Sequence, residues 1–213
     1  MNILYNCYSL LRILPLKGIE YVTNCIAGNN AIKTYRLINT TNSTKFSNHI
    51  TNIFLEPTHI IDNIYLGNAY NSSNYSVIKN NNIKYIINVT KELPNYYEKN
   101  DINYYRIPIS DNCEHHISIY IQDAIKFIEQ TQSNNNGNIL IHCYMGSSRS
   151  ASIILAYLVY KHKYDIDKAI EFIKNKRNIV NINLNFIDDV RNYFNNDVGN
   201  NDVGNHIINT INY

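Results

Sequence analysis

The segment Ile139–Ser150, ILIHCYMGSSRS, restricts the possible folds of this chain more than any other part of the sequence. It begins with a short continuous apolar run, which is typical of a strand buried inside a parallel sheet. Gly146 and its neighbouring serines then indicate a tight loop, and the pattern from Arg149 to about Tyr160 is helical. A buried strand that passes through a short loop into a helix favours an α/β fold.

The remaining apolar runs of the central region alternate between strand-like and helix-like periods. Ile117–Gln130 has isoleucines at helical spacing and ends in a Ser-Asn-Gly loop. We therefore predict an α/β fold with a central, mostly parallel twisted sheet of about five strands and helices on both faces. The other predicted strands are a hairpin over residues 60–66 and runs at Lys84–Val89, Tyr104–Ile107 and Asn138–His142, and the other predicted helices cover Ser72–Asn80, a segment capped by Asp165 that includes Phe172 and Ile173, and Leu184–Phe194.

The length of 213 residues suits one domain with appendages. Residues 1–53 are predicted to be an N-terminal extension, because positions 28–52 form an Asn/Thr/Ser-rich linker. The globular domain is predicted to cover residues 54–195. Residues 196–213 contain the tandem repeat NDVGN-NDVGN and are predicted to be a loosely ordered tail, because two short copies are too few for a solenoid.

Composition excludes several classes of function. A net charge of +2 and a pI near 8.2 are too mild to predict binding to nucleic acid or to an acidic membrane. The four cysteines are scattered without a C-x-x-C pair, so neither a zinc site nor a disulfide framework is predicted, and no metal or cofactor is expected. Arg12 and Pro15 interrupt the apolar N-terminus, and no apolar run reaches the length of a membrane span. We expect a cytoplasmic protein in a reducing compartment.

Cys143 and Arg149 are separated by five residues, in a loop that leads into a helix. Backbone N–H groups at such a junction form a cradle for a tetrahedral dianion, and the helix dipole adds positive potential. This field would stabilise a nucleophilic thiolate at Cys143, while Arg149 binds two phosphate oxygens. Ser150 is placed to contact the thiolate, and His142 is expected to support the loop from beneath. Gly146 allows the backbone to turn tightly and to approach the ligand closely. The predicted phosphate-binding residues are Tyr144, Met145, Gly146, Ser147, Ser148 and Arg149.

The nine residues 142–150, HCYMGSSRS, resemble the motif H-C-x-x-G-x-S-R-S of the dual-specificity (VH1-like) phosphatases in the protein tyrosine phosphatase superfamily. Pro57–Asn68 and Ile83–Thr90 look like strands of that family. The resemblance implies a protein tyrosine phosphatase-like fold, with 54–195 as the catalytic domain. It also implies hydrolysis of phosphotyrosine and phosphoserine/threonine in a phosphoprotein partner, through a phosphocysteine intermediate. On the last helix, Asn183, Phe186 and Val190 match the family, whereas Ile182 and Asp189 replace its usual Pro and Gln, changes predicted to concern packing alone.

The family also uses an aspartate, from the loop after the strand that precedes the long helix, to protonate the leaving oxygen and then to activate water. Asp111 has this place, directly after the predicted strand and 32 residues before Cys143. Glu114 is its main rival. Cys113 is predicted to lie near the pocket mouth, either as a spectator thiol or as a partner that traps an oxidised Cys143.

Several other activities are compared with this prediction. Tyrosine-specific relatives carry Trp-Pro-Asp, and the absence of tryptophan excludes them. Phosphoinositide phosphatases carry a lysine inside the loop, and RNA 5′-triphosphatases carry an asparagine where this chain has Ser148. These two remain alternatives, as does a phosphoprotein-binding module with vestigial catalysis. A rhodanese-like thiol chemistry is less favoured, because it has no use for Asp111 or Ser150.

Overall fold

The computed structural model describes residues 54–112, 114–134 and 136–197. The predictions made for residues 1–53, Cys113 and residues 198–213 lie outside this part of the chain. The strands are β1 (Thr58–Ile61), β2 (Ile64–Gly67), β3 (Ile83–Asn88), β4 (Asn103–Arg106) and β5 (Asn138–His142). The helices are α1 (Ala69–Ser73), α2 (Tyr75–Asn80), α3 (Ser118–Asn134), α4 (Arg149–His162), α5 (Ile166–Lys176) and α6 (Leu184–Asp197).

The five strands form one sheet in the order β1-β2-β5-β3-β4. Only the edge pair β1–β2 is antiparallel, and the other three pairs are parallel. Gly67 and Asn88 both lie in register with His142, on either side of it. The carboxyl ends of three neighbouring strands therefore meet at one edge of the sheet, which is where α/β proteins place their ligands.

Alternate residues of β5 supply two cores on opposite faces of the sheet. Ile139 and Ile141 belong to the larger core, which also includes buried residues of α3, α4, α5 and α6. Leu140 faces a smaller core, together with Ile86 of β3 and Ile78 of α2. The structure thus has helices on both faces of a mostly parallel five-stranded sheet, and the predicted fold class is confirmed.

The helices that frame the carboxyl edge follow from the sequence pattern. In α3, Ile121, Ala124, Ile125 and Ile128 are buried at helical spacing. The first ten residues of α4 are all buried, so this helix crosses the core. Asp165 caps α5 as predicted, because its side chain accepts the N–H of Lys168 at 2.9 Å. No helix in the described ranges is long and apolar enough to cross a membrane.

The single helix predicted over Ser72–Asn80 is wrong. The structure has two short helices, α1 and α2, separated by Asn74. The Asn74 N–H donates to the Tyr70 carbonyl and so caps the end of α1. The Asn74 side chain accepts the N–H of Ser76 at 3.0 Å and so caps the start of α2. An asparagine in extended conformation that caps two helices at once interrupts a pattern that otherwise reads as one helix.

Candidate active site

Cys143 follows the last residue of β5 and lies at the bottom of a loop that ends where α4 begins. The residue is 2% exposed. Its sulfur accepts the backbone N–H of Gly146 at 3.2 Å and the hydroxyl of Ser150, also at 3.2 Å. We call residues 143–149 the cradle loop. The Gly146 N–H comes from the cradle loop and the Ser150 hydroxyl from the first turn of α4; only the contact of Ser150 was predicted from the sequence.

The pKa of the Cys143 thiol is lowered from its ordinary value. Burial is the largest single effect and raises the pKa. The charge of Arg149, the hydroxyl of Ser150 and the N–H groups of Ser150 and Ser147 lower the pKa and together outweigh burial. The thiolate is the reactive form of cysteine, so this environment favours a nucleophile.

Two neighbours fix the shape of the cradle loop. Gly146 has a φ of +70°, and a Cβ at this position would lie 2.4 Å from the carbonyl oxygen of Gly67. Only glycine fits a left-handed turn pressed against another backbone segment. His142 is buried at the end of β5, with its Nδ1 atom 3.4 Å from the Cys143 carbonyl oxygen. Burial lowers the pKa of His142 to about 4, so the ring is neutral near pH 7.

The guanidinium of Arg149 is held along one side and free along another. Its Nη1 atom donates to Glu92 Oε1 at 2.8 Å, to Oε2 at 3.1 Å and to the Ile109 carbonyl at 3.2 Å. The Nε atom is buried and has no hydrogen-bond partner among the described residues. This N–H is therefore available for an oxygen of a bound phosphate, consistent with the predicted role of Arg149.

Glu92 was not predicted from the sequence. It lies in the loop between β3 and β4, which a polar network organises. Buried Asn88, at the end of β3, donates to the Leu93 carbonyl at 3.1 Å and to Asn95 Oδ1 at 2.9 Å, while Thr90 accepts the Leu93 N–H at 3.1 Å. The network fixes the short segment that carries Glu92 to Arg149.

Asp111 lies beside the cradle loop. Its Oδ1 atom accepts the Ser148 hydroxyl at 3.0 Å and the side-chain amide of Asn183 at 3.3 Å. Glu114, its rival in the sequence, is exposed, and no hydrogen bond joins its side chain to the cradle loop in the described part of the chain. The structure brings together Asp111 and the cradle loop and leaves Glu114 outside this group.

Arg177, immediately after α5, is a second residue that the sequence did not mark. It is fully buried, and donates to the carbonyl oxygens of Gly146 at 3.0 Å and Met145 at 3.3 Å, and to Thr58 Oγ1 at 3.0 Å. Burial lowers its pKa to about 10, opposed by attraction to Cys143, so it remains a cation near neutral pH. Arg177 therefore turns loop carbonyls outward from the cradle and adds positive charge beneath it.

The cradle loop is attached to the structure at further points. The Ser147 hydroxyl donates to the Ile179 carbonyl at 2.7 Å, and the Asn181 N–H donates to the Ser147 carbonyl at 3.0 Å. The Ala69 N–H, at the start of α1, donates to the Tyr144 carbonyl at 3.1 Å. Tyr144, Met145 and Ser147, which belong to the predicted phosphate site, are half-buried.

Asp189 of α6, predicted to matter only for packing, has a polar role. It accepts the N–H of Ile117 at 2.7 Å and pairs with His116 Nδ1 at 2.9 Å. Its carboxylate thus fixes the start of α3, directly after the segment that carries Asp111. These two bonds join α6 to the start of α3, so they add polar contacts to the packing role predicted for this position.

Comparison with known proteins is consistent with this arrangement. Residues 64–196 match the family model described as dual specificity phosphatase, catalytic domain. The chain is 38% identical over 138 residues to human dual specificity protein phosphatase 9, covering 64% of this chain and 36% of the relative. It is 30% identical over 137 residues to the protein phosphatase Slingshot of Drosophila melanogaster, covering 64% of this chain and 13% of the relative.

Solved structures give the same result. The crystal structure of DUSP15 is similar with a TM-score of 0.61 and 29% identity, covering 65% of this chain and 87% of that one. A leucine-rich repeat and phosphatase domain protein from Entamoeba histolytica has a TM-score of 0.57 and 28% identity, covering 66% and 91% of the two chains. The chain spans only about a third of the length of the first curated relatives that it matches. The family and fold predicted from the sequence are confirmed.

Proposed function

The chain belongs to the dual specificity phosphatase family, and from this premise we propose that it hydrolyses phosphotyrosine and phosphoserine/threonine in proteins through a phosphocysteine intermediate. One observation carries the proposal. The buried sulfur of Cys143 has a lowered pKa because loop amides and the charge of Arg149 act on it, and the Asp111 carboxyl group is hydrogen-bonded to Ser148 of the same loop.

In the first step the Cys143 thiolate attacks phosphorus, and the bond to the ester oxygen breaks. The equatorial phosphate oxygens accept hydrogen bonds from the cradle-loop N–H groups and from Arg149, which become stronger as charge develops. Asp111 in its protonated form gives its proton to the leaving oxygen. The bonds of Arg149 to Glu92 and Ile109 orient the guanidinium before the substrate arrives.

In the second step water attacks the phosphocysteine, and the bond between sulfur and phosphorus breaks. Asp111, now ionised, accepts a proton from this water. Ser150 stabilises the departing thiolate, because its hydroxyl already points to the sulfur at 3.2 Å. The products are inorganic phosphate and the original thiolate, so the cycle needs neither metal nor cofactor.

The proposed substrate is a phosphoprotein. The cradle loop holds no lysine for the phosphates of an inositol ring, and the net charge of +2 gives little attraction for RNA. A binding module without catalysis would need neither Asp111 beside the cradle loop nor the Ser150 hydroxyl against the sulfur. We further propose a cytoplasmic location, because a reducing compartment keeps a nucleophilic thiolate from being oxidised.

The test is hydrolysis of an aryl phosphate, with and without a chelator. Cys143→Ser is expected to abolish turnover while retaining phosphate binding, because the hydroxyl is nearly isosteric but does not ionise in this field. Cys25→Ser, a cysteine outside the predicted domain, is the matched control and is expected to behave like wild type. Turnover by Cys143→Ser within tenfold of wild type would refute the nucleophile. Activity that is lost in chelator and restored by a divalent ion would refute the cofactor-free cycle.

The substrate class is tested on equal concentrations of phosphotyrosine and phosphothreonine peptides, a phosphoinositide and a 5′-triphosphate RNA. The proposal expects the highest kcat/KM on the peptides. A higher kcat/KM on the lipid or on the RNA would replace the proposed substrate by that class.

A further inference from the structure

We infer that Asn183 is a positioning residue, which holds the general acid Asp111 in its working orientation before substrate binds. The inference rests on the proposed function and extends it to a residue outside the cradle loop. Asn183 directly precedes α6 and lies 72 positions from Asp111 in the sequence, but its amide nitrogen is 3.3 Å from Asp111 Oδ1.

Asn183 acts on the acid by two routes. Its side-chain amide donates directly to Asp111 Oδ1. Its backbone N–H donates to Ser148 Oγ at 3.1 Å, and that hydroxyl donates to the same Oδ1 at 3.0 Å. Since Ser148 accepts from Asn183, its own hydrogen is directed to the carboxyl group. The three residues form a closed triangle of hydrogen bonds.

The triangle determines which oxygen of Asp111 carries the proton. A carboxyl oxygen has two lone pairs, and both pairs of Oδ1 are used by the two donors. The proton of the acid form must therefore be on Oδ2. Asn183 fixes both the rotation of the carboxyl group and the identity of its donor atom.

A second role of Asn183 has to be separated from this one. Its Oδ1 atom accepts the N–H of Asn185 at 3.1 Å, so the residue also caps α6. Serine caps helices about as well as asparagine but cannot reach Asp111, so Asn183→Ser removes the amide donor and keeps the cap. Asn183→Asp keeps the cap and places a carboxylate where the donor was. Asn192→Ser is the matched control, because it makes the same substitution at an exposed position later on α6.

The experiment measures kcat/KM for phenyl phosphate, a poor leaving group, and for p-nitrophenyl phosphate, a good one. Asn183→Ser is expected to lose about tenfold on phenyl phosphate and less than threefold on p-nitrophenyl phosphate, because only the first substrate needs the proton. Asn183→Asp is expected to lose more on phenyl phosphate than Asn183→Ser. Asn192→Ser is expected to leave both rates unchanged. Equal losses on both substrates would overturn the inference.

A double-mutant cycle with Asp111→Asn completes the test. If Asn183 works through the acid, Asn183→Ser has no further effect on phenyl phosphate once Asp111 is replaced. Additive losses would mean that Asn183 acts elsewhere and would overturn the inference. If Asp111→Asn itself lacks dependence on the leaving group, the acid in the proposed function is wrong. Dependence for Asp111→Asn without dependence for Asn183→Ser overturns the positioning role alone.

Discussion

Ser150→Ala isolates the contribution of one hydroxyl to the nucleophile. Ser150 is fully buried, and its Oγ atom lies 3.2 Å from the sulfur of Cys143. Removing the oxygen deletes a hydrogen bond to a charged group, which is worth about 1.5–3 kcal/mol. Because this bond favours the thiolate, its loss raises the pKa of Cys143. At one decade per 1.36 kcal/mol, the thiolate fraction at a fixed pH below the pKa falls about 13- to 160-fold.

The assay is alkylation of Cys143 by iodoacetamide over a series of pH values. A thiolate of higher pKa is also more nucleophilic, with a Brønsted coefficient of about 0.4–0.5, so the observed rate falls only about four- to twenty-fold. The variant is slowest relative to wild type at low pH, and the order of the two rates reverses at pH values where both thiols are fully ionised.

Ser152→Ala is the matched control for this experiment. Ser152 is also fully buried on α4, but its hydroxyl donates to the Arg149 carbonyl at 2.6 Å and does not bond the sulfur. Its alkylation profile is expected to equal that of wild type. Coincident profiles for Ser150→Ala and Ser152→Ala would show that the Ser150 hydroxyl does not stabilise the thiolate.

Three further variants test the other groups of the site. Arg149→Lys is expected to lose about 2–4 kcal/mol of transition-state stabilisation in kcat/KM, and near-normal activity would contradict bidentate binding. Asp111→Asn is expected to slow phenyl phosphate by about 10²–10⁴ and activated aryl phosphates much less; the reverse result, with the effect in Glu114→Gln, would exchange the two roles. Gly146→Ala combines a left-handed φ with a backbone clash and is expected to cost about 2–5 kcal/mol in urea unfolding, whereas a cost below about 0.5 kcal/mol would contradict the close approach to Gly67.

The cradle loop could be predicted from the sequence because its parts are contiguous. A buried strand, a glycine turn and a helix start follow one another within residues 139–150, and each has a local pattern. Once the strand and helix form, Cys143 and Arg149 have few other places to lie. The mostly parallel sheet with helices on both faces could be predicted because strand-like and helix-like runs alternate along the sequence.

The residues that support the loop could not be predicted, because they come from distant segments. Glu92 is 57 positions from Arg149, and Arg177 is 31 positions from Gly146. Both are charged residues in polar stretches of sequence. No hydrophobic periodicity indicates that Arg177 is buried or that Glu92 is ion-paired. Asp189 and Asn183 show the same limit, since their side chains bond atoms 72 positions away.

The buried charge of Arg177 couples anion binding to the stability of the fold. The side chains of Arg149 and Arg177 are both buried at the cradle loop. Burying a positive charge carries a desolvation cost, and a bound anion offsets that cost. A phosphate that binds only the native chain adds about 2.7 kcal/mol to the free energy of unfolding at a hundred times its dissociation constant. We therefore expect the melting temperature of this domain to rise with phosphate concentration, so that the buffer used for purification would help to set the folded fraction.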